Sequence, residues 1–369
     1  MTYIYELKDW PNFQWRDEAL AQKLGEVRHR QGRLLGRMEA LGFPLQEEAV
    51  LHTLTEDVLK SSEIEGEQLD KDQVRSSIAR RLGLDIAGLV PSDRNVEGVV
   101  EMMLDATQRF QVPLTDERLF GWHAALFPTG RSGMNKIIVG DWRDDSTGPM
   151  QVVSGPYGRE RVHYEAPPAK ALKREMNAFL KWFEADQGID PVLKAAIAHL
   201  WFVTIHPLDD GNGRTARAIA DMALARSEGS NRRFYSMSAQ IRRERAAYYR
   251  MLETTQKGTL DITSWLSWFL DCLDRAFDSA DDILASVMQK ARFWEHQAGT
   301  ALNDRQRDML NRLLNGFEGK LTSSKWAKIA KTSQDTAARD IADLVAKGIL
   351  VRDEAGGRST SYSLAQIEA

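Results

Sequence analysis

Apolar positions recur at helical spacing along most of this chain. Leu20, Leu24, Val27, Leu34, Leu35 and Met38 mark an amphipathic helix within Trp15–Gly42, and Val50, Leu51, Leu54, Val58 and Leu59 mark another over Glu47–Lys60. Asp93–Phe110 and Thr115–Phe127 read as two more, the latter opened by Thr115 as an N-cap with acidic residues in its first turn. The rhythm changes between Gly130 and Pro168, where glycines and prolines interrupt short β-branched runs such as Ile137–Val139. Gln151–Val153 and Arg161–Tyr164, separated by Ser154–Glu160 with its Gly-Pro-Tyr-Gly turn, predict a β-hairpin. Helical spacing resumes at Ala169–Gln187, in an unusually apolar run from near Pro191 to Ile205, and in an alanine-rich run from about Thr215 to Arg226. It continues at Met237–Gln256 and Thr263–Met288.

Beyond Met288 the pattern shifts again. Asp304–Leu314 reads as a helix, Ser323–Ala330 and Ser333–Lys347 as a pair separated by Lys331-Thr332, and Lys347-Gly348 as a helix stop. Ile349–Val351, a glycine-containing turn over Asp353–Arg358, and Thr360–Leu364 complete a strand–turn–strand unit. Three helices and a short hairpin make the pattern of a winged helix-turn-helix. The expected architecture is mainly α, with an N-terminal helical region over 1–98, a core with a helical extension over 99–298, and a winged helix over 299–369.

Composition narrows the function classes. With 369 residues, 43% hydrophobic and 28% charged, the chain carries ordinary globular composition and material for more than one domain. The apolar run Ala195–Leu208 is shorter than the ~20 residues a membrane helix needs. The first ten residues mix charges and show no secretory pattern. A single cysteine, Cys272, excludes an internal disulfide framework and a cysteine-based zinc site. A net charge of −4 disfavours whole-chain coating of nucleic acid while leaving a local basic patch open. Together these features predict a cytoplasmic protein with no membrane partner.

One segment stands out for chemistry: His206-Pro207-Leu208-Asp209-Asp210-Gly211-Asn212-Gly213-Arg214-Thr215-Ala216-Arg217. Pro207, the two aspartates, Gly211 and Gly213 cannot continue the preceding helix, and a new one starts just beyond. Glycines around Asn212 let backbone N–H groups converge on one concavity, and the following helix N-terminus adds positive dipole. Arg214 and Arg217 lie three apart and can converge on phosphate oxygens. Asp210 is a hard carboxylate suited to Mg²⁺ carried on a nucleoside triphosphate, and His206 can take a proton near neutral pH. A histidine at a helix end, a glycine turn and a solvated arginine face each have ordinary structural uses, and an EF-hand lacks its terminal glutamate here. Their conjunction within twelve residues points to phosphoryl or nucleotidyl transfer.

The segment resembles the Fic family signature H-x-F-x-(D/E)-(G/A)-N-(G/K)-R-x-x-R, with Leu208 in place of the usual phenylalanine. The resemblance extends from about Val99 to Tyr249 and implies a Fic-type helical bundle with a β-hairpin flap. It implies AMP transfer from ATP, with Mg²⁺, to a hydroxyl of a target protein or of the chain itself. His206 would be the base and Asp210 the Mg²⁺ ligand. Asn212, with the amides around Gly211 and Gly213, would cradle the α-phosphate, and Arg214 and Arg217 would hold the β- and γ-phosphates. Gln151, Val152, Val153 and Ser154 would clamp the target as an added strand, and Tyr248 and Tyr249 would border the adenine, with a core or surface role as the alternative.

Upstream, Ser61-Ser62-Glu63-Ile64-Glu65-Gly66 is similar to the family's inhibitory pattern (S/T)-x-x-x-E-(G/N). By that resemblance Ser61, Glu65 and Gly66 form an inhibitory motif in which Glu65 pairs with Arg217. The same resemblance implies homodimerisation through the N-terminal helices. Two alternatives stay open: removal of AMP or transfer of another phosphate group, and a nucleotide-sensing transcriptional regulator. The latter would contact DNA through Ser333–Lys347, with Arg339 outward and Arg358 on the wing, although Gln334, Asp335, Asp340 and Asp343 offset its bases.

Overall fold

A computed structural model describes residues 2–84, 86, 88–156, 158–314, 316–317, 319–353 and 360–365. Tyr157 in the hairpin turn and the wing arginine, Arg358, lie outside the described residues. The chain divides into two compact units, one formed within 1–84 and 90–283, the other within 85–89 and 284–369. The division falls inside a long helix, at 283/284, where the sequence suggests 298, and the N-terminal helices cluster with the residues that follow them instead of standing apart.

The first unit is helical. Its elements are α1 (Asp17–Glu39), α2 (Phe43–Ile64), α3 (Lys71–Leu82), α4 (Arg94–Gln108), α5 (Asp116–Leu126), the two-residue strands β1 (Arg131–Ser132) and β2 (Asn135–Lys136), the hairpin β3 (Gln151–Ser154) and β4 (Arg161–Glu165), then α6 (Ala169–Glu184), α7 (Pro191–Ile205), α8 (Asn212–Glu228), α9 (Met237–Arg243), α10 (Arg245–Gln256) and the part of α11 (Thr263–His296) before residue 284. At its centre α7 and α8 pack along each other. Asp190 caps α7 by accepting from the Val192 N–H, Pro191 occupies its first turn, and nearly the whole helix is buried. Alanines on α8 allow close approach, so α4, α5 and α2 also reach it. Gly98 on α4 is required by its neighbour, because a Cβ there would lie 1.8 Å from the Ala125 carbonyl oxygen of α5. Along the α1–α11 seam, Lys23 pairs with Asp271 at 2.6 Å and Arg30 with Asp274 at 2.8 Å.

Three local differences from the sequence reading have physical causes. Helix α3 was not anticipated, because its buried side is short, with Val74, Ile78 and Ala79 as its apolar residues, although Asp70 caps it through the Gln73 N–H and Gly83 ends it at φ 70°. The predicted helix Met237–Gln256 breaks at Glu244, whose carboxylate is gripped by Arg275 Nε and Nη2 at 2.6 and 2.7 Å. Ile137–Val139 forms no strand: the Ile137 N–H donates to the Gly130 carbonyl and the Ile138 N–H to Asp209.

The second unit contains α12 (Asp304–Leu314), α13 (Ser323–Ile329), α14 (Gln334–Ala346) and the antiparallel pair β5 (Leu350–Arg352) and β6 (Tyr362–Leu364). Ser333 caps α14, and Gly348 at φ 70° lets the chain turn into β5. Met309, Leu310, Trp326, Ile341, Leu344 and Leu350 build a small core of its own. Among the described residues, no helix is long and apolar enough to cross a membrane.

Candidate active site

Helix α7 ends because His206 adopts the left-handed conformation, φ 52° and ψ 56°. A β-carbon makes that conformation costly, on the order of 1 kcal/mol, so neighbours must impose it. Arg143 supplies much of the constraint. Its Nε donates to the His206 carbonyl at 2.7 Å, its backbone N–H to the Pro207 carbonyl at 2.9 Å, and Nη2 to the Pro167 carbonyl at 2.6 Å. One buried guanidinium therefore ties the α7–α8 loop to the segment that follows the hairpin.

The loop is then closed from within. Asn212 Oδ1 accepts from the Leu208 N–H at 3.0 Å while its Nδ2 donates to the Leu208 carbonyl at 2.7 Å. Leu208 is fully buried, so the side chain standing where the signature has phenylalanine still anchors the loop. Gly211 takes φ 80°, and a Cβ there would come within 3.0 Å of the Phe127 ring. The Asn212 side chain is thus spent on the loop itself, which leaves any anion to the backbone amides of the first turn of α8. Those amides lack helical acceptors by the geometry of a helix start.

Around that turn stand the titratable groups. His206 Nδ1–H donates to the Val203 carbonyl at 3.2 Å, which leaves Nε2 as the basic nitrogen. Burial pushes the imidazole down to about 4, against the opposing pull of that hydrogen bond, so it is neutral at pH 7. Asp210 Oδ1 accepts from the Gly211 N–H at 2.6 Å, and Ser132 Oγ donates to Oδ2. Among the described residues no cluster of three or more ligating side chains forms a metal centre, and of the two loop carboxylates Asp209 accepts from the Ile138 N–H at 2.7 Å.

Both motif arginines are buried and both are paired. Arg217, with its side chain 2% exposed, donates from Nη2 to Glu65 Oε1 at 2.7 Å and to the Ser61 carbonyl at 2.9 Å, and from Nε to Ser61 Oγ at 3.0 Å. Burial opposes its charge, and Glu65, Tyr248 and Tyr249 more than offset that penalty. Arg214, 3% exposed, donates from Nη1 to Glu67 Oε2 at 2.6 Å and stacks over the Phe127 ring at 5.1 Å. Arg217 Nη1 and Arg214 Nε are buried without a partner. Glu65 caps the end of α2 and Gly66 follows it at φ 88°. The Glu65 carboxylate lies over the first turn of α8, because a Cβ on Gly213 would meet its Oε1 at 2.2 Å and Arg217 Nη1 at 3.2 Å. A carboxylate from the upstream motif therefore sits over the first turn of α8, between Gly213 and Arg217.

The two tyrosines differ in setting, Tyr248 in the core and Tyr249 at the surface. Tyr248 is buried and shares a 2.8 Å hydrogen bond with His199 Nε2, while Tyr249 donates to the Ile64 carbonyl at 3.4 Å at the end of α2. In the hairpin, Gln151, Val153 and Ser154 are exposed and Val152 is half-buried, and Tyr164 anchors β4 to α7 by donating to the Thr204 carbonyl at 2.6 Å. Glu67, Ser132 and Arg143 were not anticipated. Glu67 stands two residues beyond Glu65 and could have been flagged as a second acid facing a second arginine. Ser132 lies in the two-residue strand β1 and Arg143 in a glycine-containing loop, both too short or irregular for periodicity to betray their direction.

With this geometry in view, comparison with known proteins is decisive for residues 113–224, which match the Fic/DOC family model. The chain carries a Fic domain. Residues 3–84 match a separate model described as a domain of unknown function, DUF4172. The Fic region is similar to a curated protein of Aedes aegypti named Protein adenylyltransferase Fic, 32% identical over 132 residues, which are 34% of this chain and 25% of that protein. A protein of the same name from Nematostella vectensis is 22% identical over 281 residues, covering 73% of this chain and 57% of its own length. The chain thus spans about a quarter of the first of these relatives and just over half of the second. A crystal structure of a Fic family protein from Desulfovibrio desulfuricans G20 aligns with all of both chains at a TM-score of 0.52 and 20% identity, a likeness of fold.

Proposed function

We propose that this Fic protein transfers AMP from ATP to hydroxyl side chains of a target protein and of itself, and that its own α2 end restrains it. The observation that carries the reading is the arrangement over the first turn of α8. Free helix amides, a buried unpartnered Arg217 Nη1 and a carboxylate lying over Gly213 describe an anion site held by an internal substitute. The names of the curated relatives, Protein adenylyltransferase Fic, support adenylyl transfer as the chemistry.

In this reading the α-phosphate rests on the amides of the α8 start, and Arg214 and Arg217 hold the outer phosphates once Glu67 and Glu65 leave them. Neutral His206, with Nε2 free, accepts the proton of the target protein's attacking hydroxyl. The hydroxyl oxygen bonds to the α-phosphorus as the bond to pyrophosphate breaks, so in-line positioning supplies most of the rate. Mg²⁺ arriving on the triphosphate would neutralise phosphate charge. A single carboxylate suits it, since Mg²⁺ keeps waters and phosphate oxygens as its other ligands, and Asp210 is that carboxylate. The exposed β3 edge would align the target as an added strand.

We read the second unit as a winged helix serving protein contacts. On α14, Asp335, Asp340 and Asp343 surround the lone Arg339, and Asp340 is itself paired with Arg305 at 2.9 Å, so the helix offers no cationic stripe for phosphates. The test of the main reading is intact-mass measurement of the Glu65→Gly chain after incubation with ATP and Mg²⁺. The expected gain is the mass of an adenylyl group. A phosphoryl-sized gain, or none with added candidate targets as well, would overturn it.

A further inference from the structure

The hairpin carries a second arrangement of reactive groups, separate from the α7–α8 loop. Ser154 Oγ lies 2.6 Å from His163 Nε2, and His163 Nδ1 lies 2.8 Å from Glu253 Oε2 on α10. The local chain makes this possible. Val152 pairs with Tyr164 and Val153 with Val162, so His163 is the extra residue of a β-bulge, a device that re-aims a side chain. Its ring reaches Ser154 on the neighbouring strand and Glu253 on the helix. Glu253 is held ionised: hydrogen bonds from Lys257 and His163, with Arg161 at 3.1 Å, bring it down to about 2.

An ionised carboxylate at Nδ1 fixes that nitrogen as the N–H, which leaves the Nε2 lone pair facing the serine hydroxyl. Nucleophile, base and orienting carboxylate stand in the order that activates a serine in unrelated enzymes. Ser154 is exposed, whereas His163 and Glu253 are half-buried, so the oxygen is open to an electrophile while its base is held in place. Two features show that the strand is braced. Tyr164, next to His163, is tied to the end of α7, and Arg161, opposite Ser154, is tied to α10.

We propose that Ser154 is an activated nucleophile and the acceptor of an adenylyl group on this chain, with His163 as its base and Glu253 as the residue that orients the imidazole. The acceptor role rests on the adenylyl-transfer reading above. The Ser154 Oγ–phosphorus bond forms as the bond from the α-phosphorus to pyrophosphate breaks. Pyrophosphate leaves with that electron pair, and the serine proton passes to His163 Nε2.

Two measurements on the full chain test this. A fluorophosphonate probe, followed by peptide mapping, should label Ser154 at least tenfold faster than exposed Ser146, whose hydroxyl donates to Asp144 at 2.6 Å and has no imidazole beside it. His163→Gln and Glu253→Gln should each reduce labelling of Ser154 tenfold or more. Equal labelling of Ser154 and Ser146 in the unmodified chain overturns the activation and leaves the trio as a staple between hairpin and α10. In the Glu65→Gly chain given ATP and Mg²⁺, mapping should place AMP on Ser154. AMP on other residues alone overturns the acceptor role while adenylyl transfer stands. Transfer to no residue and no target overturns both, even where the probe labels Ser154.

Discussion

Replacing Glu65 with glycine removes the carboxylate that faces Arg217, and the consequences follow from burial. Arg217 is 2% exposed and Glu65 29%, so their 2.7 Å pair is largely shielded on one side and partly wet on the other. Breaking a fully buried pair costs about 3–5 kcal/mol, and an exposed one about 0–1. Discounting for the solvent around Glu65 puts this pair at roughly 1–3 kcal/mol. The cost falls on the nucleotide-free protein, where Arg217 keeps its bonds to Ser61 but loses its counter-charge. Glu65→Gly should therefore melt below the unmodified chain. An anion that replaces the carboxylate recovers the same energy, so ATP should bind about 5- to 150-fold tighter.

The assay is thermal unfolding across an ATP series with Mg²⁺, read beside AMP incorporation. The ATP-induced rise in Tm should be larger for Glu65→Gly than for the unmodified chain. Glu67→Gln should act in the same direction but more weakly, because Glu67 is 45% exposed and water already screens its bond to Arg214. The double variant should exceed either single one, since each frees a different arginine. Identical ATP-induced shifts in Glu65→Gly and the unmodified chain would refute the idea that Glu65 occupies the phosphate position.

Three further outcomes are expected. His206→Ala should abolish AMP transfer to a target protein in the Glu65→Gly background while ATP affinity by calorimetry stays within about threefold, a change under 1 kcal/mol; target modification near the parent rate would remove His206 from the chemistry. Arg143→Met leaves the His206 and Pro167 carbonyls without their donor, about 1–3 kcal/mol each, so Tm should fall and kcat should drop far more than KM for ATP rises; a change confined to KM would contradict its role in shaping the His206 turn. Folded His206 takes its proton only near pH 4, while an unfolded histidine takes one near about 6.5. Stability should therefore decline as pH falls through that window, with buried His199, pushed to about 3, acting in the same sense; a Tm constant from pH 7 to 4 would contradict this.

Much of the fold was legible because burial writes itself as periodicity. The helix expected from near Pro191 to Ile205 forms over Pro191–Ile205, since its cap, its proline and its end at a glycine-rich loop are all local signals. Thr115, Asp93 and Ser333 bound their helices by accepting from N–H groups three residues on, as short-range chemistry dictates. Helix α3 was missed because a short apolar side on a charged helix leaves almost no periodic trace. At the break, Glu244 is held by Arg275, thirty-one residues away, a partner that no local pattern displays. Local chemistry sets caps and ends, and distant partners set interruptions, which a single sequence does not display.

The same division runs through the site. Glycine positions, the arginine spacing and the leading histidine follow from what an anion cradle needs within one turn, so the segment 206–217 could be assembled on chemical grounds. The upstream motif became readable only beside it, because its meaning is a pairing across about 150 residues. Glu67 extends the same pairing to the second arginine. Two arginines three apart project toward the same anion, so a segment that covers one of them with a carboxylate places its next residues against the other. In the proposed reading, a full internal substitute for a polyphosphate takes two carboxylates, and Glu65 and Glu67, two residues apart around Gly66, pair with Arg217 and Arg214. Gly66 at φ 88° gives the turn between them, a conformation a side chain would strain. Gly66→Ala should accordingly loosen both pairs at once and raise AMP incorporation by more than Glu67→Gln alone. Incorporation at the level of the unmodified chain would show that the two acids act independently of the turn that joins them.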